Sequence, residues 1–226
     1  MVRRGATRLG KRAAWRSRKT RNRKKKGRLA FYKPLLSNKL PIKHRYFYSD
    51  QLNPGVGGIN AVNVFSANSL HDPDVTGSGA QPRGFDQIKE LYDHYTVVGA
   101  KITVVFMSQS GTTVPIICGI ALADSATTHT ATVDYMEQRN VVSGGLGETD
   151  ARTTLVKTFS ARKFLGRPHP LSEDDLRGTA LTSPNERAYF HVFASPTYSV
   201  DAGAISYYAI IDYLAVWTEP KNPDQS

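Results

Sequence analysis

A chain of 226 residues with 40% hydrophobic composition is long enough to bury one sizeable core and too short for more than one domain or two small ones. Its net charge of +11 is unevenly placed: residues 1–49 hold 18 Lys and Arg and no Asp or Glu, and the remaining 12 basic and 19 acidic residues leave the rest at −7. A pI near 9.8 therefore averages a cationic arm with a mildly acidic body, which excludes a uniformly basic protein.

The arm, residues 1–28, has Lys or Arg at 14 positions, and KTRNRKKKGR at 19–28 is its densest part. Without apolar periodicity it cannot bury enough surface to offset the entropy of ordering, so it is expected to be disordered when free. Its candidate nucleic-acid-binding residues are Arg3, Arg4, Arg8, Lys11, Arg12, Arg16, Arg18, Lys19, Arg21, Arg23, Lys24, Lys25, Lys26 and Arg28. Each one that meets a phosphate releases counterions whatever the base sequence. Trp15 sits among them, suited to stack on a base, as do Phe31 and Tyr32 at the arm's root. Lys11 and Arg12, followed by Arg23, Lys24, Lys25 and Lys26, resemble a two-part nuclear-localisation signal. A tail that only solubilises or imports the chain is the plain alternative. The N-terminus lacks the apolar core of a signal peptide and no Asn-x-Ser/Thr acceptor occurs, so a soluble, non-secreted protein is expected.

Residues 29–41 are a transition interrupted by Pro34 and Pro41, which places the arm and transition at 1–42 and the folded domain at 43–226. From there, short β-rich runs alternate with Gly, Pro, Asn and Asp clusters, predicting an all-β sandwich or barrel. Eight strands are expected: 43–52, 61–66, 95–107, 114–123, 139–143, 153–164, 189–194 and 206–218. In AKITVVF, Ile102, Val104 and Phe106 face one way and Lys101 and Thr103 the other. In YYAIIDYLAVW (207–217) both faces are apolar, which predicts a mid-sheet strand covered on both sides. That run is too short to cross a bilayer and is broken by Asp212, so membrane insertion is not expected. Phe85, Ile88, Leu91 and Tyr92 predict a short amphipathic helix, and Ser172 with Asp175 three residues on predicts a capping-box start. Long loops at 53–60, 70–84 and 167–186 are expected to be functional surfaces.

Enzyme readings find little support. The histidines, His44, His71, His94, His129, His169 and His191, show no metal-ligand spacing, and there is no Gly-x-Ser-x-Gly elbow. In HDPD (71–74) one imidazole lies near two carboxylates, but a Pro-containing turn in which Asp72 bonds its own backbone explains the pattern. Gly144, Gly145 and Gly147 match no phosphate-binding pattern and are expected in a loop. Glu173, Asp174 and Asp175 suit a helix start, where the macrodipole favours them. The single cysteine, Cys118, excludes an internal disulfide and a Cys-based zinc site and reads as a buried small hydrophobe. No cofactor, metal or catalytic residue is expected.

The basic N-terminus, QPRGFDQIKELYDHYTVVGAKITVVF (81–106) and SYYAIIDYLAVWTEPK (206–221) together resemble the capsid proteins of circovirus-like circular single-stranded DNA viruses. The resemblance implies a single eight-stranded jelly roll of two four-stranded antiparallel sheets, in agreement with the strand count. It also implies self-assembly into an icosahedral shell, a homo-oligomer of about 60 copies, with the arm on the genome inside and loops outside or at subunit contacts. Virion and host nucleus are the expected locations, with a host nuclear-import receptor as partner. A shell of that size would carry about 840 arm cations, on the scale of a single strand of roughly one to two kilobases. The arm mixes Lys with Arg where many such arms are almost pure Arg.

The alternatives at this point are the coat protein of a small RNA virus, which shares the arm-plus-jelly-roll plan, and a cellular nucleic-acid-binding β-sandwich. The second needs basic and aromatic residues exposed on one face of the body, where few cations are available. A lectin or cupin-like jelly roll is a third class, and the cupin form needs a His and carboxylate cluster that the sequence does not assemble.

Overall fold

Alternation along β1 (Lys39–Leu52) turns His44, Tyr46 and Leu52 inward and leaves Lys43, Arg45 and Phe47 exposed, the period-2 pattern of a half-buried strand. The computed structural model describes residues 35–222 apart from 56, 78–79, 110–113, 148–151 and 199, and the arm lies outside the described residues. β1 begins ahead of the expected residue 43 and takes in Pro41. It is the edge of its sheet, where the missing N–H of a proline need not remove a ladder bond, and Leu40 and Ile42 on its inward side pack against the core.

The first sheet runs β1, β9 (Ile205–Pro220), β3 (Tyr92–Met107), β6 (Arg152–Ser160), and the short β7 (Arg177–Thr179) pairs with the start of β3. The second runs β2 (Ala61–Ser66), β8 (Tyr189–Pro196), β4 (Ile116–Ala123), β5 (Val141–Leu146). Every pairing is antiparallel. With β7 set aside, the eight strands divide between the two sheets in jelly-roll order, the fold that the resemblance implies. The ninth strand makes one sheet five-stranded.

Between the sheets lie Phe65, Tyr95, Phe106, Phe190, Tyr213 and Trp217, all fully buried. Trp217 is the hub at one end. Its ring sits 5.4 Å from Tyr95 and 5.5 Å from Phe85, and its Nε1–H donates to His44 Nε2 at 3.0 Å.

Several expected elements end differently, each for a local reason. β6 stops at Ser160 rather than continuing to 164, because its ladder with β3 ends opposite Gly99, where β3 carries a bulge. Residues Ala161–Phe164 turn into α3, and Phe164 meets Phe159 at 6.1 Å. The helix expected over the Phe85 to Tyr92 pattern is shortened to α1 (Phe85–Lys89): Phe85 is its only buried residue, Leu91 is exposed, and Tyr92 already belongs to β3. No capping box forms at Ser172, which ends one 3₁₀ turn (Pro170–Ser172) before a second (Asp174–Leu176) leads into β7.

The strand expected at 139–143 lies at Val141–Leu146 and absorbs Gly144 and Gly145, which were expected in a loop. Gly144 pairs with Cys118 and packs against Thr153 so closely that a Cβ would clash. The glycine thus permits a close approach of β6 rather than a turn.

β9 is central, between β1 and β3, as its apolar run predicts. It is not covered on both sides among the described residues: Tyr208, Ile210 and Val216 on its outward side are half-buried, and Leu214 is exposed. The doubly covered strand is β8, all of whose residues are buried. Its cover is α2 (Thr132–Met136), a helix that the sequence did not predict because five residues carry too little periodicity. Tyr135 of α2 stacks on Phe193 with ring centroids 4.5 Å apart.

Candidate nucleic-acid interface

The arm residues singled out from sequence, Arg3 through Arg28 with Trp15, and the Phe31 and Tyr32 pair all lie outside the described residues. At the start of the described chain, Tyr92 donates its hydroxyl hydrogen to the Ser37 carbonyl at 2.9 Å, which ties the segment before β1 to the first sheet. β1 then carries the chain along the edge of that sheet.

The outward face of the first sheet is ordered by strand register into rows. Phe47, Ile210, Thr103 and Val156 form one row, and Ser49, Tyr208, Val105 and Thr154 the next. Arg45, Asp212, Lys101 and Thr158 form a third, Lys43, Leu214, Gly99 and Ser160 a fourth, and Gln51, Ser206, Met107 and Arg152 a fifth. The centre is apolar, with Phe47 60% and Val156 48% exposed, and the Phe47 and Tyr208 rings are 6.1 Å apart. Around it stand Lys43, Arg45, Lys101 and Arg152 against one carboxylate in these rows, Asp212. Arg45 holds Asp212 through two hydrogen bonds, at 2.6 and 3.1 Å. Beyond the Lys43 row, Lys39, Arg162 and His169 line an open hollow of about 450 Å³.

Charge clustering along the sequence points to the arm and not to this face. The available signal was the alternation Lys43, Arg45, Phe47, which places two cations and an aromatic ring on one side of an expected strand.

The remaining candidates are structural. Asp74, not Asp72, closes the HDPD turn: its Oδ1 accepts from the Gly77 N–H at 3.1 Å, and Asp72 instead donates its N–H to Ser69 Oγ at 3.4 Å. Burial pushes the Asp74 carboxyl up. Among the described residues no group of three His, Cys, Asp or Glu side chains is arranged to hold a metal. Cys118 is buried as expected, and burial pushes its thiol up to about 12, which leaves it unreactive. Of the carboxylate run, Asp174 pairs with Arg177 of β7 at 3.2 Å and Glu173 lies 3.9 Å from Arg167 within the same loop, so they pair with arginines rather than cap a helix. Among the described residues no helix is long and apolar enough to cross a membrane.

Two histidines are held neutral inside the fold. The Ser125 carbonyl, 2.8 Å from His191 Nε2, can only accept, so Nε2 carries the proton and Nδ1 accepts from the Tyr135 hydroxyl at 2.9 Å. His44 Nε2 accepts from Trp217, which leaves its proton on Nδ1, facing the Arg83 carbonyl. Burial pushes both below the ordinary 6.5. The unfolded chain then binds more protons than the native one just below pH 6.5, so their stabilisation is complete above that value and is lost as pH falls through the native values. Asp74 acts with the opposite sign, contributing stability below its ordinary 3.8 that is lost as pH rises through its native value. Thermal melts are expected to show the midpoint falling as pH is lowered from about 7.5 to about 5.5. A midpoint that holds or rises over that range would mean that the two imidazoles are not buried as described.

No protein-family model and no curated protein sequence matches the chain. Among solved structures it is similar to the 60-mer BFDV capsid protein, with a TM-score of 0.47 at 12% identity over 84% of this chain and 100% of that chain. It is also similar to desmodium yellow mottle tymovirus (TM-score 0.42, 12% identity, 85% of this chain, 95% of that chain) and tobacco necrosis virus (0.44, 14%, 84% and 87%). The first of these is described as a capsid protein, and the other two are virus structures.

Proposed function

We propose that this chain is a viral capsid protein that self-assembles into a small icosahedral shell and packages a single-stranded DNA genome on its Lys/Arg-rich N-terminal arm. The observation that carries this reading is the division of charge across a jelly roll: an acid-free segment of 49 residues with 18 cations leads through β1 into a body that is net negative from Asp50 onward. A body that is net negative attracts polyanions less than the arm does, so most of the phosphate binding is concentrated where the arm is.

Electron microscopy of the expressed protein, with extraction and nuclease typing of the contents, tests the reading. Closed particles whose nucleic acid is destroyed by deoxyribonuclease are the expected result. Contents sensitive only to ribonuclease would favour the coat protein of an RNA virus, and protein that stays monomeric with and without nucleic acid, across salt and pH, would defeat both.

The arm also serves, in this reading, as a nuclear-localisation signal through Lys11, Arg12 and Arg23 to Lys26. Replacing Lys24, Lys25 and Lys26 with Gln is expected to move a fluorescently tagged full chain from nucleus to cytoplasm in transfected cells. Unchanged nuclear accumulation would remove this role and leave packaging untouched.

A further inference from the structure

The two sheets treat their outward faces differently. That of the second sheet is covered by the chain itself, through Tyr135 on Phe193, Thr132 on Ser195 and His191 on the Ser125 carbonyl. On the first sheet the described residues leave Phe47, Lys43, Arg45, Lys101 and Arg152 exposed. From this we propose that the outward face of the first sheet is a second contact surface for single-stranded nucleic acid, with bases stacking on Phe47 and Tyr208 and phosphates meeting Lys43, Lys101 and Arg152. The inference rests on the packaging role proposed above and adds a body-borne site to the arm.

Charge selects the occupant. Lys43 and Arg45 from the end of the acid-free segment and Lys101 and Arg152 from the body that is net −7 beyond it come together here, so the patch sets four cations against Asp212 alone. A second copy meeting it symmetrically would bring the same cations face to face and desolvate them without partners, which is costly. Single-stranded nucleic acid supplies what the face lacks, anions for the rim and flat apolar rings for the centre. Base stacking on aromatic side chains within a positive groove is the general mode of sequence-tolerant single-strand binding.

Position fits as well. The eleven residue steps from Arg28 to Lys39 span at most about 36–40 Å when extended, and β1 advances about 27 Å from Lys39 to Phe47. A strand held by the arm is therefore within reach of the rings on the sheet that the arm leads into.

The test uses the full chain. A single-stranded oligonucleotide carrying 5-bromodeoxyuridine is photocrosslinked to the unmodified protein and the attached peptides are identified by mass spectrometry. Affinity is then measured over a series of salt concentrations for the parent, for Phe47→Leu with Tyr208→Leu, and for Lys43→Gln with Lys101→Gln and Arg152→Gln. The expected results are crosslinks on the peptides containing Phe47 or Tyr208 in addition to the arm, and affinity roughly tenfold weaker per ring removed. The charge variant should show a salt slope shallower by about 2, at about 0.7 per phosphate contact for single strands. Crosslinks confined to the arm, with unchanged affinity and slope in both variants, would overturn the sheet site and leave arm-based packaging standing. Variants that bind short oligonucleotides normally but no longer form particles would show a contact between copies instead, which also overturns it. Absence of binding by the unmodified chain would defeat the sheet site and the packaging role together.

Discussion

Removing residues 1–28 is expected to abolish nucleic-acid packaging and nearly all salt-sensitive binding to single strands. With 14 cations in that segment, full engagement corresponds to a slope of log affinity on log salt of about −10, at roughly 0.7 per contact. Between about 50 and 200 mM salt the full chain should lose five to six orders of magnitude in affinity, or proportionately less if fewer arm cations engage. The shortened chain should keep at most the sheet contribution, a slope of about −2 for Lys43, Lys101 and Arg152, since Arg45 is held by Asp212. Fluorescence anisotropy with a labelled oligonucleotide, titrated at several salt concentrations, reads both slopes. If the shortened chain kept the full slope, the arm would be an import or solubility tail and the nucleic-acid site would lie wholly on the body.

Replacing Trp217 with Ala is expected to be the most damaging single change in the folded domain. The side chain is fully buried and touches Phe85, Tyr95 and His44, so it joins α1, β3 and β1 at one end of the core. Truncating a buried aromatic of this kind costs about 3–5 kcal/mol, a large part of the 5–15 kcal/mol that holds a typical domain together. In a domain of this size that corresponds to a melting midpoint lower by roughly 6–20 °C. Trp217→Phe keeps most of the ring but removes the N–H that His44 Nε2 accepts, and should cost about 1–3 kcal/mol. Chemical denaturation of both variants separates packing from hydrogen bonding. Equal losses would assign the whole effect to the bond with His44, and no loss in either would place Trp217 outside the core.

Where periodicity was strong, the sequence was legible. The alternation in AKITVVF put Ile102, Val104 and Phe106 inward in β3, and Tyr207–Trp217 became the core of the central strand β9. Boundaries were less legible, because they depend on partners. β6 ends at Ser160 because of a bulge in β3, and Gly144 lies in a strand because Thr153 presses on it from β6. Pro41 looked like a breaker, and only its place on a sheet edge made it tolerable within β1.

The candidate sites divide in the same way. Net charge and its clustering are properties of composition, so the arm, its acid-free length and its contrast with the body follow from the residue order alone. Which body residues share a face is a property of register. Phe47, Tyr208, Lys101 and Arg152 lie on four different strands, far apart in the chain, and hydrogen-bonded pairing alone brings them to one side of one sheet. The double apolar character of β9 likewise predicted its central place but not its exposure. Whether an apolar outward face is covered depends on another segment folding back over it, which α2 does for β8 and no described residue does for β9.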